Sequence, residues 1–124
     1  MAWQKLAALA AMLLALAPLE AQAHHAIAMY DPADPMRLDG TVKKFDWGNP
    51  HSWLTVTVAE GGDWLVECNS VALLQRSGWT RTSVKPGDRI TLTIAPHIDG
   101  IRRGEAIEVI TASGAHLANA MVEP

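Results

Sequence analysis

Cysteine is almost absent: Cys68 is the only one in 124 residues. No intramolecular disulfide can form, so a folded domain must rest on its apolar core. Basic runs are also missing. Lysines and arginines cluster only as the pairs Lys43, Lys44 and Arg102, Arg103, in a chain of net charge −3. A nucleic-acid backbone therefore finds no electrostatic footprint. No apolar run reaches the roughly 18 residues that a membrane span needs, so no stable insertion is expected. No serine sits in a nucleophile-elbow context, and the carboxylates supply neither a paired mechanism nor a triad. Enzyme chemistry is poorly supported. Internal repeats and low-complexity segments are lacking as well.

What is present begins with a leader. Lys5 gives a positive start, Leu6 to Ala17 is apolar and uncharged, Pro18 breaks the run, and Ala21, Gln22, Ala23 make a small-x-small cleavage site. This pattern predicts a signal peptide over 1–23 and export to the periplasm. The remaining hundred or so residues suffice for one core without staples.

From His24 to Pro35 neither a helical nor a two-residue period holds, which predicts an extended arm over 24–35. Met36, Leu38, Gly40 and Val42 then alternate with polar residues, but Phe45 and Trp47 fall on the opposite parity. A long first strand bent by a β-bulge near Lys43 and Lys44 reconciles the two. After the turn Gly48, Asn49, Pro50, His51, a second strand carries Leu54, Val56 and Val58. Gly61, Gly62 and Asp63 reverse the chain into a third, with Trp64, Val66 and Cys68 on one side and Leu65 and Glu67 on the other. Asn69 or Ser70 can cap a helix of about two turns that stops at Gly78. Ile90, Leu92 and Ile94 mark a fourth strand. Beyond a loop from Pro96 to Gly104, a fifth carries Ile107, Val109 and Thr111, with Glu108 and Ile110 on its other side. The tail over 115–124 is weakly specified.

Three strands, a short helix and two more strands predict a mainly β fold over 36–114, a five-stranded Greek-key barrel of OB type. Ligands of such barrels lie on strands two and three, between the first-to-second and fourth-to-fifth loops. That places His51 and His97 beside one groove. Trp53 shares the outer face with Thr55 and Thr57, and Glu67 can face the same groove. Trp47, Trp64 and Trp79 are expected to fill the core, and His116 to be structural or solvated.

Cleavage after Ala23 would make His24 the first residue. A terminal α-amine, with a pKa of about 7.7 to 8, loses its proton far more readily than lysine. With its own imidazole and one further histidine, it forms a three-nitrogen set suited to copper. His51 and His97 are the candidate third ligands, with His25, Met29 and Asp31 as further donors. The set resembles the histidine brace of copper proteins in the position of His24; a solvated histidine pair is the alternative. Arg102 and Arg103 could instead hold an anion by forked hydrogen bonds. Cys68 shares the parity of buried residues and is expected to be inert.

Four stretches carry a resemblance: HHAIAMYD at 24–31, GTVKKFDWGNPHSWL at 40–54, LLQRSGWTRTSVKPGD at 73–88 and DGIRRG at 99–104. Through them the chain resembles a family of small exported bacterial proteins of unknown function. The resemblance implies secretion and a compact β domain, without a mechanism. Cys68 stands where no family cysteine is expected.

These readings point to a non-enzymatic periplasmic binding module for a transition metal, copper first, with ligands among His24, His25, His51 and His97. The alternative is a small organic or anionic ligand held by Trp53, Glu67, Arg102 and Arg103, in an accessory to an envelope enzyme or transporter. A metal-dependent oxidoreductase stands third.

Overall fold

The alternating segment Met36–Asp46 forms strand β1 of a computed structural model that describes residues 29–119. The segment 1–23, read from the sequence as a signal peptide, and the candidate ligands His24 and His25 lie outside the described residues. Among the described residues no helix is long and apolar enough to cross a membrane. Strands β2 (Ser52–Val58) and β3 (Asp63–Cys68) follow, then helix α1 (Val71–Arg76), β4 (Arg89–Pro96), β5 (Arg103–Ile110) and β6 (His116–Ala118).

The parity change in β1 is a bulge. Val42 pairs with Val56 and Lys44 with Thr55, so Lys43 is the extra residue. The insertion lets Leu38 and Val42 point into the core before it and Phe45 pack against the core after it. β1 pairs antiparallel with both β2 and β4. β2 pairs with β3 and β4 with β5, also antiparallel. A parallel seam of Leu65–Arg103, Val66–Gly104 and Glu67–Glu105 joins β3 to β5. That seam closes five strands into a barrel, the OB-like order read from the sequence.

Two features depart from the sequence reading. β5 starts at Arg103, four residues before Ile107, and bulges there: Thr93 pairs with Glu108 but Ile94 with Ala106. Ala106 and Val109 therefore point inward, while Ile107 is 39% exposed. The segment read as a weakly specified tail adds β6 to the outer edge of β5. Asn119 then fixes the chain, its Oδ1 accepting from Asn69 N–H at 2.8 Å and its Nδ2 donating to the Ala106 carbonyl at 2.8 Å.

The core runs through the barrel from Leu54, Val56 and Val66 to Leu92, Ile94 and Val109. Leu74 of α1 and Trp79 beyond it plug one end. Trp79 is 1% exposed and satisfies its single donor on the Ala118 carbonyl at 2.9 Å, as a buried indole requires. Gly78, with φ +89°, makes the left-handed turn that ends the helix.

Candidate functional site

Inward-facing residues fix the faces of β2, β3 and β5, so their neighbours in sequence must face outward. Trp53 stands opposite Glu67, and Glu67 opposite Glu105 across the seam. Arg103 lies two residues before Glu105 on the same face. An indole, two carboxylates and a guanidinium are thus set side by side by register alone.

Two connections complete the cluster. The first is the β1–β2 turn. Ser52 is buried and its hydroxyl donates to the Gly48 carbonyl and accepts from Gly48 N–H, both at 3.2 Å. Asn49 Oδ1 accepts from Val71 N–H, the first turn of α1, at 3.0 Å. Held between these anchors, His51 brings Nδ1 to 3.4 Å from Glu67 Oε1. The second is the arm. Tyr30 forms an antiparallel bridge with His97. Its hydroxyl donates to Glu67 Oε2 at 2.5 Å and accepts from Arg103 Nε at 3.0 Å.

Arg103 makes three contacts in the cluster. Besides Tyr30, its Nη2 lies 4.0 Å from Glu67 Oε2, and its Cζ sits 4.9 Å from the centroid of the Trp53 ring. This is a cation–π placement. Glu105 differs: among the described residues its side chain makes no hydrogen bond or ion pair. Burial, then the neighbouring Glu67 carboxylate, raises its pKa above the usual carboxylate value, and His51 acts in the opposite sense. Burial, and next the hydrogen bond to Glu67, push the Tyr30 phenol up to about 12 against the lowering effect of Arg103.

The structure therefore brings together His51, Trp53, Glu67 and Arg103 of the residues read from the sequence. His97 borders the cluster through Tyr30, the rings meeting edge to face at 5.9 Å. Its Nδ1 accepts from Asp99 N–H at 3.1 Å, leaving Nε2 as the nitrogen without that role. Arg102 stands apart, its guanidinium filling the space beside Gly62 in the β2–β3 turn. Cys68 is buried, and burial pushes its thiol up to about 12, the inert state expected of it. His116 is exposed and contacts Glu108 Oε1 at 2.5 Å. No group of three His, Cys, Asp or Glu side chains close enough to hold a metal occurs among the described residues. Surface clefts of about 290 Å³ around Asp39 and Arg89 and about 320 Å³ around Met36 and Trp64 include none of the cluster's members.

Two members escaped the sequence reading. Glu105 was assigned no role because Gly104 looked like the end of a loop; its parity with Arg103 was the available signal. Tyr30, the only tyrosine, sat in an arm without period, and only its solitary polar aromatic ring set it apart.

A family model matches residues 11–106. The chain belongs to DUF6152, a family of unknown function. The DUF6152 match takes in every member of the cluster, from Tyr30 on the arm to Glu105 on β5. Neither a curated protein nor a solved structure matches the chain.

Proposed function

We propose that this protein is an exported, periplasmic, non-enzymatic binding module that takes up a cation, copper first, on the face of β2, β3 and β5. The observation that carries the reading is Glu105: a half-buried carboxylate beside Glu67 and His51, with the one nearby guanidinium already committed elsewhere. Two acidic groups and an imidazole at a partly desolvated surface favour a positive ligand. An anion would meet the carboxylates of Glu67 and Glu105 beside Arg103, which weighs against the anionic alternative.

No three His, Cys, Asp or Glu side chains among the described residues lie close enough to hold a metal by themselves, so further donors are assigned to the arm. His24 precedes Tyr30 by six residues. At about 3.3–3.6 Å per residue, six residues of extended chain span at most roughly 20–22 Å, and Tyr30 is itself seated on Glu67. His24, through its freed amine and imidazole, and His25 are the donors assigned to this role, with His51 from the turn.

The test is mass spectrometry of the protein recovered after export, fixing its first residue and bound metal together, followed by Cu(II) titration. A chain starting at His24 and binding one copper, with affinity falling at least tenfold when one residue is added before His24 or when His51 is replaced by alanine, is the expected result. A mature protein with no copper affinity would sink the reading.

A further inference from the structure

We infer that Tyr30 is a positioning residue: its hydroxyl locks the N-terminal arm onto the β2–β3–β5 face and holds Glu67 turned toward His51. This rests on the cation-binding reading above only for what the lock delivers; the lock itself stands on geometry.

Two sets of bonds hold the arm. The main chain contributes Asp31 N–H to the Pro96 carbonyl and Ile98 N–H to the Met29 carbonyl, each at 2.9 Å. The side chain contributes the hydroxyl between Glu67 Oε2 and Arg103 Nε. Filling a gap needs only an aromatic ring, and phenylalanine would do that as well. The hydroxyl does something a ring cannot. It stands between a carboxylate and a guanidinium that are otherwise 4.0 Å apart, and so keeps them from closing on each other. Tyr30 is 6% exposed and the Glu67 side chain 16% exposed, so water substitutes poorly for the missing oxygen. Without it, Glu67 swings onto Arg103, a charge-assisted pair, and leaves His51. The arm is then held by its main-chain bonds alone, which open more often once the contact that ties it to β3 is lost.

His97 belongs to the same device. Its imidazole packs edge-on to the Tyr30 ring and takes Asp99 N–H on Nδ1, shaping the loop that receives the arm. Positioning groups of this kind, one step removed from the ligand, typically change metal affinity about 10–100-fold.

The experiment compares the exported protein with its Tyr30→Phe and Glu67→Gln variants by amide hydrogen exchange, thermal unfolding and Cu(II) affinity. Tyr30→Phe is expected to speed exchange at Asp31 and Ile98 at least tenfold while amides of β2 and β4 hold their rates, and to weaken copper binding about 10–100-fold. Glu67→Gln keeps an acceptor for the phenol, so it should retain arm protection and lose affinity alone. Unchanged exchange at Asp31 and Ile98 in Tyr30→Phe overturns the lock. Faster exchange with undiminished affinity overturns its role in delivering ligands. If the parent protein binds no copper, the cation reading falls, and the exchange comparison by itself decides for or against the lock.

Discussion

A carboxylate that is half-buried, next to a second carboxylate, and without a hydrogen bond among the described residues works against folding when ionised. Glu105 is that residue. Its folded pKa is raised above the unfolded value, so the native state holds the proton more tightly. Its contribution is therefore most favourable at acid pH and is lost as pH rises through the folded pKa. Glu105→Gln should raise the thermal midpoint at pH 7, with the gap closing as the pH falls below the ordinary glutamate range. The same variant should bind Cu(II) more weakly. A lower midpoint at pH 7 would show that the carboxylate is satisfied after all. Trp53 and Glu67 were legible in the sequence because two-residue alternation fixes the outer face once the core residues are chosen, whereas Arg103 was singled out only for its guanidinium, in a segment read as a loop. Glu105 was not, because the residue before it is a glycine, and glycine in a sequence marks a turn more often than a close approach.

At the scale of elements, that glycine has a definite task. A Cβ on Gly104 would fall 2.6 Å from Ile94 Cδ1 and 2.9 Å from the Ala95 carbonyl oxygen. β5 passes over β4 at this point just as it joins β3, and only a residue without a side chain permits both. Gly104→Ala should destabilise the fold by about 1–3 kcal/mol through overpacking, read as a lower urea midpoint with an unchanged slope. An unaltered midpoint would mean that Ile94 turns aside freely. Patterning exposed the bulge in β1, where hydrophobic residues on both sides of Lys43 report the change of parity. It hid the bulge in β5, because Ile107, Val109 and Thr111 keep an unbroken alternation through it. β6 was invisible for a simpler reason. Three residues give too short a period, and its place is set by Asn119 and Trp79 from outside the strand.

For the whole molecule, the order of strands, the position of the helix and a five-stranded barrel followed from turn residues and alternation, whereas the residue pairs that close the barrel did not. The parallel seam is only three residue pairs long, and nothing in local pattern announces it. Asn119 reinforces this region from behind, linking the Asn69 amide after β3 to the Ala106 carbonyl of β5. Asn119→Ala removes two buried hydrogen bonds and should cost about 1–3 kcal/mol. It should also quench the distinct environment of Trp79, seen as a shifted emission maximum at temperatures below the midpoint. A shift in stability below a few tenths of a kcal/mol would show the tail to be dispensable.

The Asn49 amide that caps α1 also has a bearing on binding thermodynamics. Asn49 and Ser52 pin the His51 turn at both of its ends, so that side of the face is preorganised and gives up little conformational entropy when a ligand arrives. A substitution that merely rigidifies this turn should therefore leave affinity at the face nearly unchanged.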